Sequence, residues 1–397
     1  MGEQVRARLA ALLVLDRWSI AAYLVSVAIG LVGLSLAGRA AADVNQFEHF
    51  VRFHRYINPE TFFYPTASQV RALAKASVRR DQVAVIIGGS SVLNGVGQSP
   101  EDLWSRALQE QLGESYVVLN FALPAGAPEE HGAVAAQALI KEGYKVVYIA
   151  DTPPAFFGNP DGLVNRYVFW DAYYKGYLLE SAAGTAKIES VYAAPAEAEK
   201  LQELRMRSVL DSYLYFTDLW TALGYHKFFT VWNLFMSPPA GVFVMPHKLF
   251  KDPATGVTAP PLAQRYPEAA TPTEMHIVRA ISAVMCTDSQ FESVSEQART
   301  ALPDELRRRT IVSVTRNSRF FVDRLDAQER ACYERTSDQM VAALQQAGYR
   351  ARATGADFTA EDYNDRVHLV ASGGVKLAAE LAPLVRELSQ DLGYLQP

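Results

Sequence analysis

Twenty consecutive residues without a charge, Trp18 to Ala37 (WSIAAYLVSVAIGLVGLSLA), set the first limit on this 397-residue chain. As a helix the run is about 30 Å long, the thickness of a bilayer's hydrocarbon core. A helix apolar all round has no polar face to turn to water, so a soluble surface helix fits it poorly. Arg6, Arg8 and Arg17 precede the run; Arg39 follows, but Asp43 and Glu48 come soon after. The basic excess on the first side predicts a cytoplasmic N-terminus with the remainder outside. The expectation is an uncleaved single-pass anchor in the inner or plasma membrane. Residues 1–42 form the N-terminus and anchor, 43–80 a juxtamembrane segment, and 81–397 a periplasmic or extracellular domain. The rival is a cleaved signal peptide, because AGRAAAD (Ala37–Asp43) offers small residues at a cut site, although the apolar run exceeds a usual signal core.

Composition excludes several classes. A net charge of −5 without a long basic run gives no footprint for nucleic acid. The two cysteines, Cys286 and Cys332, either close a disulfide loop of about 45 residues outside the membrane or are two small buried side chains. No CxxC or clustered His/Cys spacing occurs, so neither a metal nor a cofactor is expected.

Beyond residue 80 short apolar runs alternate with helical patterns. QVAVIIGG (82–89), SYVVLN (115–120), KVVYIAD (145–151), RTIVSVT (309–315) and YRARATG (349–355) read as strands. Helices are expected from Ser99 as cap with Pro100 in the first turn, over 127–142, over 326–347, and from about 372. Such alternation predicts an α/β fold, a parallel sheet with helices on both faces. An insertion at about 155–305 interrupts it. Within it FTDLWTALGYHKFFTVWNLF (216–235) reads as a cap helix on the core or as a helix resting on the bilayer. From Met236 to Thr273 there are eight prolines, which predicts a long ordered loop.

Ligands of a doubly wound sheet collect at the carboxyl ends of its strands. The first strand ends in IIGGSSVLNGVG (Ile86–Gly97), where a glycine pair allows a tight turn and brings Ser90 and Ser91 to the rim. This is neither GxGxxG nor a Walker loop, so nucleotide binding is not expected. A serine nucleophile needs a base, and the base needs an orienting acid. DRVH (Asp365–His368), just before the last helix, supplies such a pair. On chemistry alone the alternatives are a triad and the ordinary polar lip of a helix. Among the other histidines, His247 in the proline-rich loop is the plausible substitute base.

Three blocks carry a family resemblance: GGS at Gly88–Ser90, NFALPAG at Asn120–Gly126, and D-x-x-H at Asp365–His368 ahead of LVASGGVKLAAEL. Together they resemble the SGNH (GDSL-type) hydrolases over about 80–155 and 305–390. The resemblance implies a three-layer α/β/α domain with Ser90 as nucleophile, Ser91 being the second choice, His368 as base and Asp365 as its partner. It also implies an oxyanion hole from the N–H groups of Ser90 and Ala122 with Thr152. Two positions depart from the family. Ala122 stands where the family has glycine, and Thr152, beside Asp151, stands where it has asparagine. Asp151 is expected to face away from the site or to cap the segment that follows it.

A single span followed by such a domain is similar to the proteins that assist surface-polymer acylation, the D-alanyl transfer and alginate O-acetylation types. That implies acyl transfer or ester hydrolysis on a surface polysaccharide, beside a membrane-bound O-acyltransferase. Trp170, Tyr173 and Tyr174 are candidate sugar-stacking faces, or core aromatics of the insertion. A non-catalytic scaffold for polymer or partner, and a membrane-proximal lipase or esterase, are the competing functions.

Overall fold

The computed structural model describes residues 17–45, 52, 56–58, 61–62, 66–123, 126–151, 166–179, 195–219, 260–265, 270–283 and 288–395. Its centre is a five-stranded, all-parallel sheet of β1 (Val83–Ile87), β2 (Tyr116–Asn120), β3 (Lys145–Asp151), β4 (Thr310–Thr315) and β5 (Arg350–Thr354), in spatial order β2-β1-β3-β4-β5. The fold is α/β, as the alternation predicts. A two-residue-period split builds the layers. Ala84, Ile86, Val146, Tyr148, Val312 and Val314 pack on one face, and Val83, Val85, Ile87, Val147, Ile149 and Ile311 on the other. With both faces covered, β1 needs no polar position, and all five of its residues are buried.

The helices of the first face are α2 (Ala67–Ser77), α5 (His131–Lys141) and α10 (Ala327–Gln346). The second carries α4 (Trp104–Leu112) and α11 (Ala371–Asp391), which pack on each other through Trp104, Leu108, Leu377 and Leu381. Asp326 caps α10 in a reciprocal box with Glu329, so this helix begins where the sequence predicts. Helix α4 begins at Trp104 rather than near Pro100. Ser99 instead closes a turn onto Asp102, and Gln98 Oε1 accepts the Trp104 N–H from outside the helix at 2.9 Å.

Between β3 and β4 the insertion contributes α6 (Arg166–Tyr174), α7 (Pro195–Leu214), α8 (Pro272–Ala283) and α9 (Asp288–Ala301). Lys175, after α6, is fully buried among Asp171 (2.7 Å), Asp218 (2.5 Å) and Asp211 (3.5 Å). Thr66 Oγ1 donates to Asp218 and the Ala67 N–H donates to Asp171, which ties the start of α2 into the same cluster. Most of 216–235, including His226, lies outside the described residues, as do His247 and nearly all of the proline-rich loop. Cys332 is disulfide-bonded; the chain's other cysteine, Cys286, lies outside the described residues.

Helix α1 (Arg17–Ala42) is long and apolar enough to cross a membrane, and none of its most apolar stretch is buried. Its last turns are not bare. Gly38 is buried against Tyr215, where any Cβ would lie 2.8 Å from the Tyr215 Cβ. Ser35 Oγ donates to the Tyr213 carbonyl at 2.6 Å, and Asp43 pairs with Arg71 of α2 at 2.8 Å. Tyr215 has φ +52°, a left-handed backbone that costs a non-glycine residue roughly 1–3 kcal/mol. Two cations lie over its ring, Arg39 at 5.4 Å and Lys175 at 4.9 Å from the centroid.

Candidate active site

The strand order reverses between β1 and β3, and both strands end at one rim. After Ile87 the chain turns through Gly88 and Gly89. Gly89 has φ +106°, and a Cβ there would run into Asp151 Oδ1 at the end of β3, so both conformation and close approach demand glycine. The turn then opens a single helical turn, α3 (Ser91–Asn94).

The two adjacent serines take different positions in that turn. Ser90 is the N-cap. Its Oγ accepts the Val92 N–H at 3.2 Å and donates to Asp151 Oδ2, while its N–H donates to Asp151 Oδ1 at 2.7 Å. Ser91 is the first helical residue, and its Oγ lies 2.7 Å from His368 Nε2. His368 Nδ1 lies 2.7 Å from Asp365 Oδ2. The structure therefore brings Asp365 and His368 together, as expected, but joins them to Ser91 and not to Ser90. The reason is local: a cap hydroxyl already holds the helix end and Asp151, and cannot also face across the rim.

His368 and Asp365 sit in a pinned hairpin. The Asn364 N–H donates to the His368 carbonyl at 2.7 Å and the Val370 N–H to the Asp362 carbonyl at 3.0 Å. Asp365 Oδ1 accepts the N–H groups of Val367 and His368, both at 2.9 Å, so Oδ2 is aimed at the ring. Outside the hairpin, Arg366 reaches Glu274 of α8 at 3.1 Å. Burial works to raise the Asp365 pKa, but the hydrogen bond and charge of His368 with the two N–H groups outweigh it and hold it at about 2. The acid of this relay is thus a carboxylate at neutral pH.

The expected oxyanion hole is not formed as drawn. The Ser90 N–H is committed to Asp151, and the Ala122 N–H donates to Asn120 Oδ1 at 3.1 Å. Thr152 lies outside the described residues. The Ser91 N–H, at the first position of α3, has no intrahelical acceptor by its place in the helix, and it donates to no described residue. Asp151 does not face away: it is 2 % exposed and holds the Ser90 turn. Burial, against the hydrogen bonds from Ser90 and the charge of His368, raises its pKa to about 6.

Three further residues build the site; the sequence names Asn120 within the NFALPAG block but gives it no role, and passes over Asn94 and Arg52. Asn120, the last residue of β2, donates from Nδ2 to the Leu93 carbonyl at 2.8 Å, and so ties α3 to the loop after β2. Asn94 Nδ2 donates to the Ala122 carbonyl at 2.7 Å. Arg52, 7 % exposed, donates to the carbonyls of Asn94, Gly95 and Gln98 at the far end of α3, where a cation complements the helix dipole. Asn120 carried a readable signal, an amide ending a strand opposite the serine turn. Arg52 carried none, because its partners are backbone carbonyls more than forty residues away.

The aromatic candidates lie elsewhere. Trp170 is 1 % exposed, stacked on Tyr174 at 5.9 Å and covered by Arg205 at 4.9 Å, within the α6 and α7 packing. It is a core residue, and Tyr173, 44 % exposed, faces out beside it. Among the described residues no His/Cys/Asp/Glu group has the arrangement of a metal site. No protein-family model and no curated protein matches the chain.

Proposed function

We propose that this protein is a membrane-anchored serine acyl-ester enzyme of SGNH-like type, with its site outside the cytoplasm and Ser91 as nucleophile. The observation that carries the reading is the relay of two 2.7 Å contacts from Ser91 through His368 to Asp365 at the rim of the sheet. Ser91 Oγ attacks an acyl carbonyl while His368 Nε2 takes its proton, and Asp365 holds the imidazolium. The Ser91 N–H faces the developing oxyanion. The alkoxide leaves with the proton from His368, and an acyl-serine remains. His368 then deprotonates a hydroxyl of a surface polysaccharide, giving transfer, or a water, giving hydrolysis. Either attack breaks the acyl–Ser91 bond and returns the proton to Ser91 Oγ. Anchorage by α1 supports reading a membrane-bound acyl donor system as the source of the acyl group, with an O-acyltransferase as the fitting partner.

A scaffold reading draws on one observation, the internal use of the Ser90 and Ala122 N–H groups, which leaves fewer donors for an oxyanion. The full chain in detergent or nanodiscs separates the two. Wild type is compared with Ser91→Ala and His368→Ala for fluorophosphonate labelling and for turnover of an acetyl ester. Labelling confined to Ser91 and lost in both variants supports the enzyme; a folded wild type that never labels supports the scaffold.

A further inference from the structure

Helix α7 carries an apolar stripe whose side chains are exposed among the described residues. Met206, Leu210 and Tyr213 follow a spacing of four and three, which puts them on one face, and they are 58 %, 58 % and 67 % exposed. Phe216, just past the helix, is 41 % exposed. Beside the stripe lies a groove of about 390 Å³ lined by Met206, Leu210, Leu214 and Phe216, with Glu203 and Arg207 among its polar edges.

The height of this stripe is set by α1. Ser35 Oγ bonds the Tyr213 carbonyl, and Gly38 packs on Tyr215. From Trp18 to Ser35 the helix rises only about 26 Å, and a hydrocarbon core is about 30 Å thick. With Trp18 at the inner boundary, Tyr213 lies at the outer edge of the hydrocarbon. Leu210 is three residues away along α7, at most about 5 Å along the axis, so it lies within the interfacial layer whatever the tilt of α7. Helices α1 and α7 pack on each other, and the apolar stretch of α1 is itself unburied. Arg39 stands in the last turn of α1, about one turn beyond Ser35, and Arg207 lines the groove; a tyrosine at a membrane boundary sits where its ring and hydroxyl are both satisfied.

We propose that the Met206–Leu210–Tyr213 face, with Phe216, is seated in the outer-leaflet lipid, a second attachment that lies in the bilayer surface beside the span. The proposal rests on the reading of α1 as a membrane span. The lipid covers the stripe, and acyl chains fill the groove. The catalytic domain is thereby held on the membrane at two points and cannot swivel about α1.

The test uses the full chain in nanodiscs of phosphatidylcholine and phosphatidylglycerol. Leu210→Cys and, as a control in mid-span, Leu31→Cys are each labelled with an environment-sensitive nitrobenzoxadiazole group. The expected result is blue-shifted emission at both positions. Lipids with a nitroxide near the headgroup should cost the label at 210 the larger fraction of its fluorescence, and lipids with a deep nitroxide should do so at 31. Water-like, unquenched emission at 210 with quenching at 31 overturns the second attachment and leaves the span standing. Absence of quenching at both overturns the span and the proposal with it. A blue shift at 210 that no lipid nitroxide quenches means the face is covered by protein, such as a second copy, and also overturns it.

Discussion

Ser90→Ala and Ser91→Ala should separate stability from chemistry in two adjacent residues. Ser90→Ala removes the cap on the Val92 N–H, a loss of about 0.5–2 kcal/mol. It also removes the hydroxyl donor to the buried Asp151 carboxylate, a charged hydrogen bond of about 1.5–3 kcal/mol. The Ser90 backbone N–H stays on Asp151, so the sum should fall at the lower end, about 2–3 kcal/mol. The Ser91, His368 and Asp365 contacts are untouched. Ser91→Ala loses one partly exposed hydrogen bond, about 1 kcal/mol or less, yet removes the proposed nucleophile. Denaturant midpoints and fluorophosphonate labelling rates, the latter at equal folded fraction, report the two quantities. Ser90→Ala should shift the midpoint downward and label within about tenfold of wild type, an allowance of roughly 1.4 kcal/mol in the barrier. Ser91→Ala should barely move the midpoint and should not label. Labelling that survives in Ser91→Ala and vanishes in a folded Ser90→Ala would refute the assignment of the cap and nucleophile positions.

Other outcomes follow from the same geometry. Asp365→Asn keeps the shape of the hairpin but removes the carboxylate facing His368 Nδ1, and should lower acylation by up to about 10⁴-fold, read as the labelling rate at pH 7. Burial raises Asp151 from 3.8 to about 6 in the folded protein, so its contribution to stability is full below pH 3.8 and is lost as pH rises through about 6. Relative to Asp151→Asn, wild type should therefore gain on the order of 2–3 kcal/mol between pH 7 and pH 4 in paired denaturant curves. A difference that stays flat with pH would count against a buried, ionising Asp151. Lys175→Met leaves Asp171, Asp211 and Asp218 buried without their cation and should cost about 3–5 kcal/mol, seen in the same unfolding assay with labelling of the folded fraction unchanged.

The strands were legible in the sequence because a strand covered on both faces has no reason to alternate, and VAVII or KVVYIAD has little else to be. The α10 boundary was legible because a capping box is contained within four residues. The start of α4 was not, because the decisive acceptor is the side chain of Gln98, six residues before the N–H it satisfies. The choice between Ser90 and Ser91 was lost for a similar reason. Asp151 arrives from the neighbouring strand, sixty-one residues on, and claims the first serine. Asp365 and His368 were readable because three residues suffice to place one against the other. The buried charge cluster escaped notice because α2, α6, α7 and the segment after α7 each contribute a piece that looks like ordinary surface polarity alone.

Tyr215, pressed against Gly38 with Arg39 and Lys175 over its ring, turns the anchor from a tether into a mount. A domain on a loose leash sweeps a hemisphere and meets substrates throughout that volume. A mounted domain carries its serine along the membrane plane at one fixed altitude. With α1 in a bilayer, encounters then become a two-dimensional search, governed by the surface density of donor and acceptor. If Ser91 acylates a surface polymer as proposed, a strand would be modified only along the length that passes at that height, and the position of Ser91 above the lipid would act as a ruler on the product.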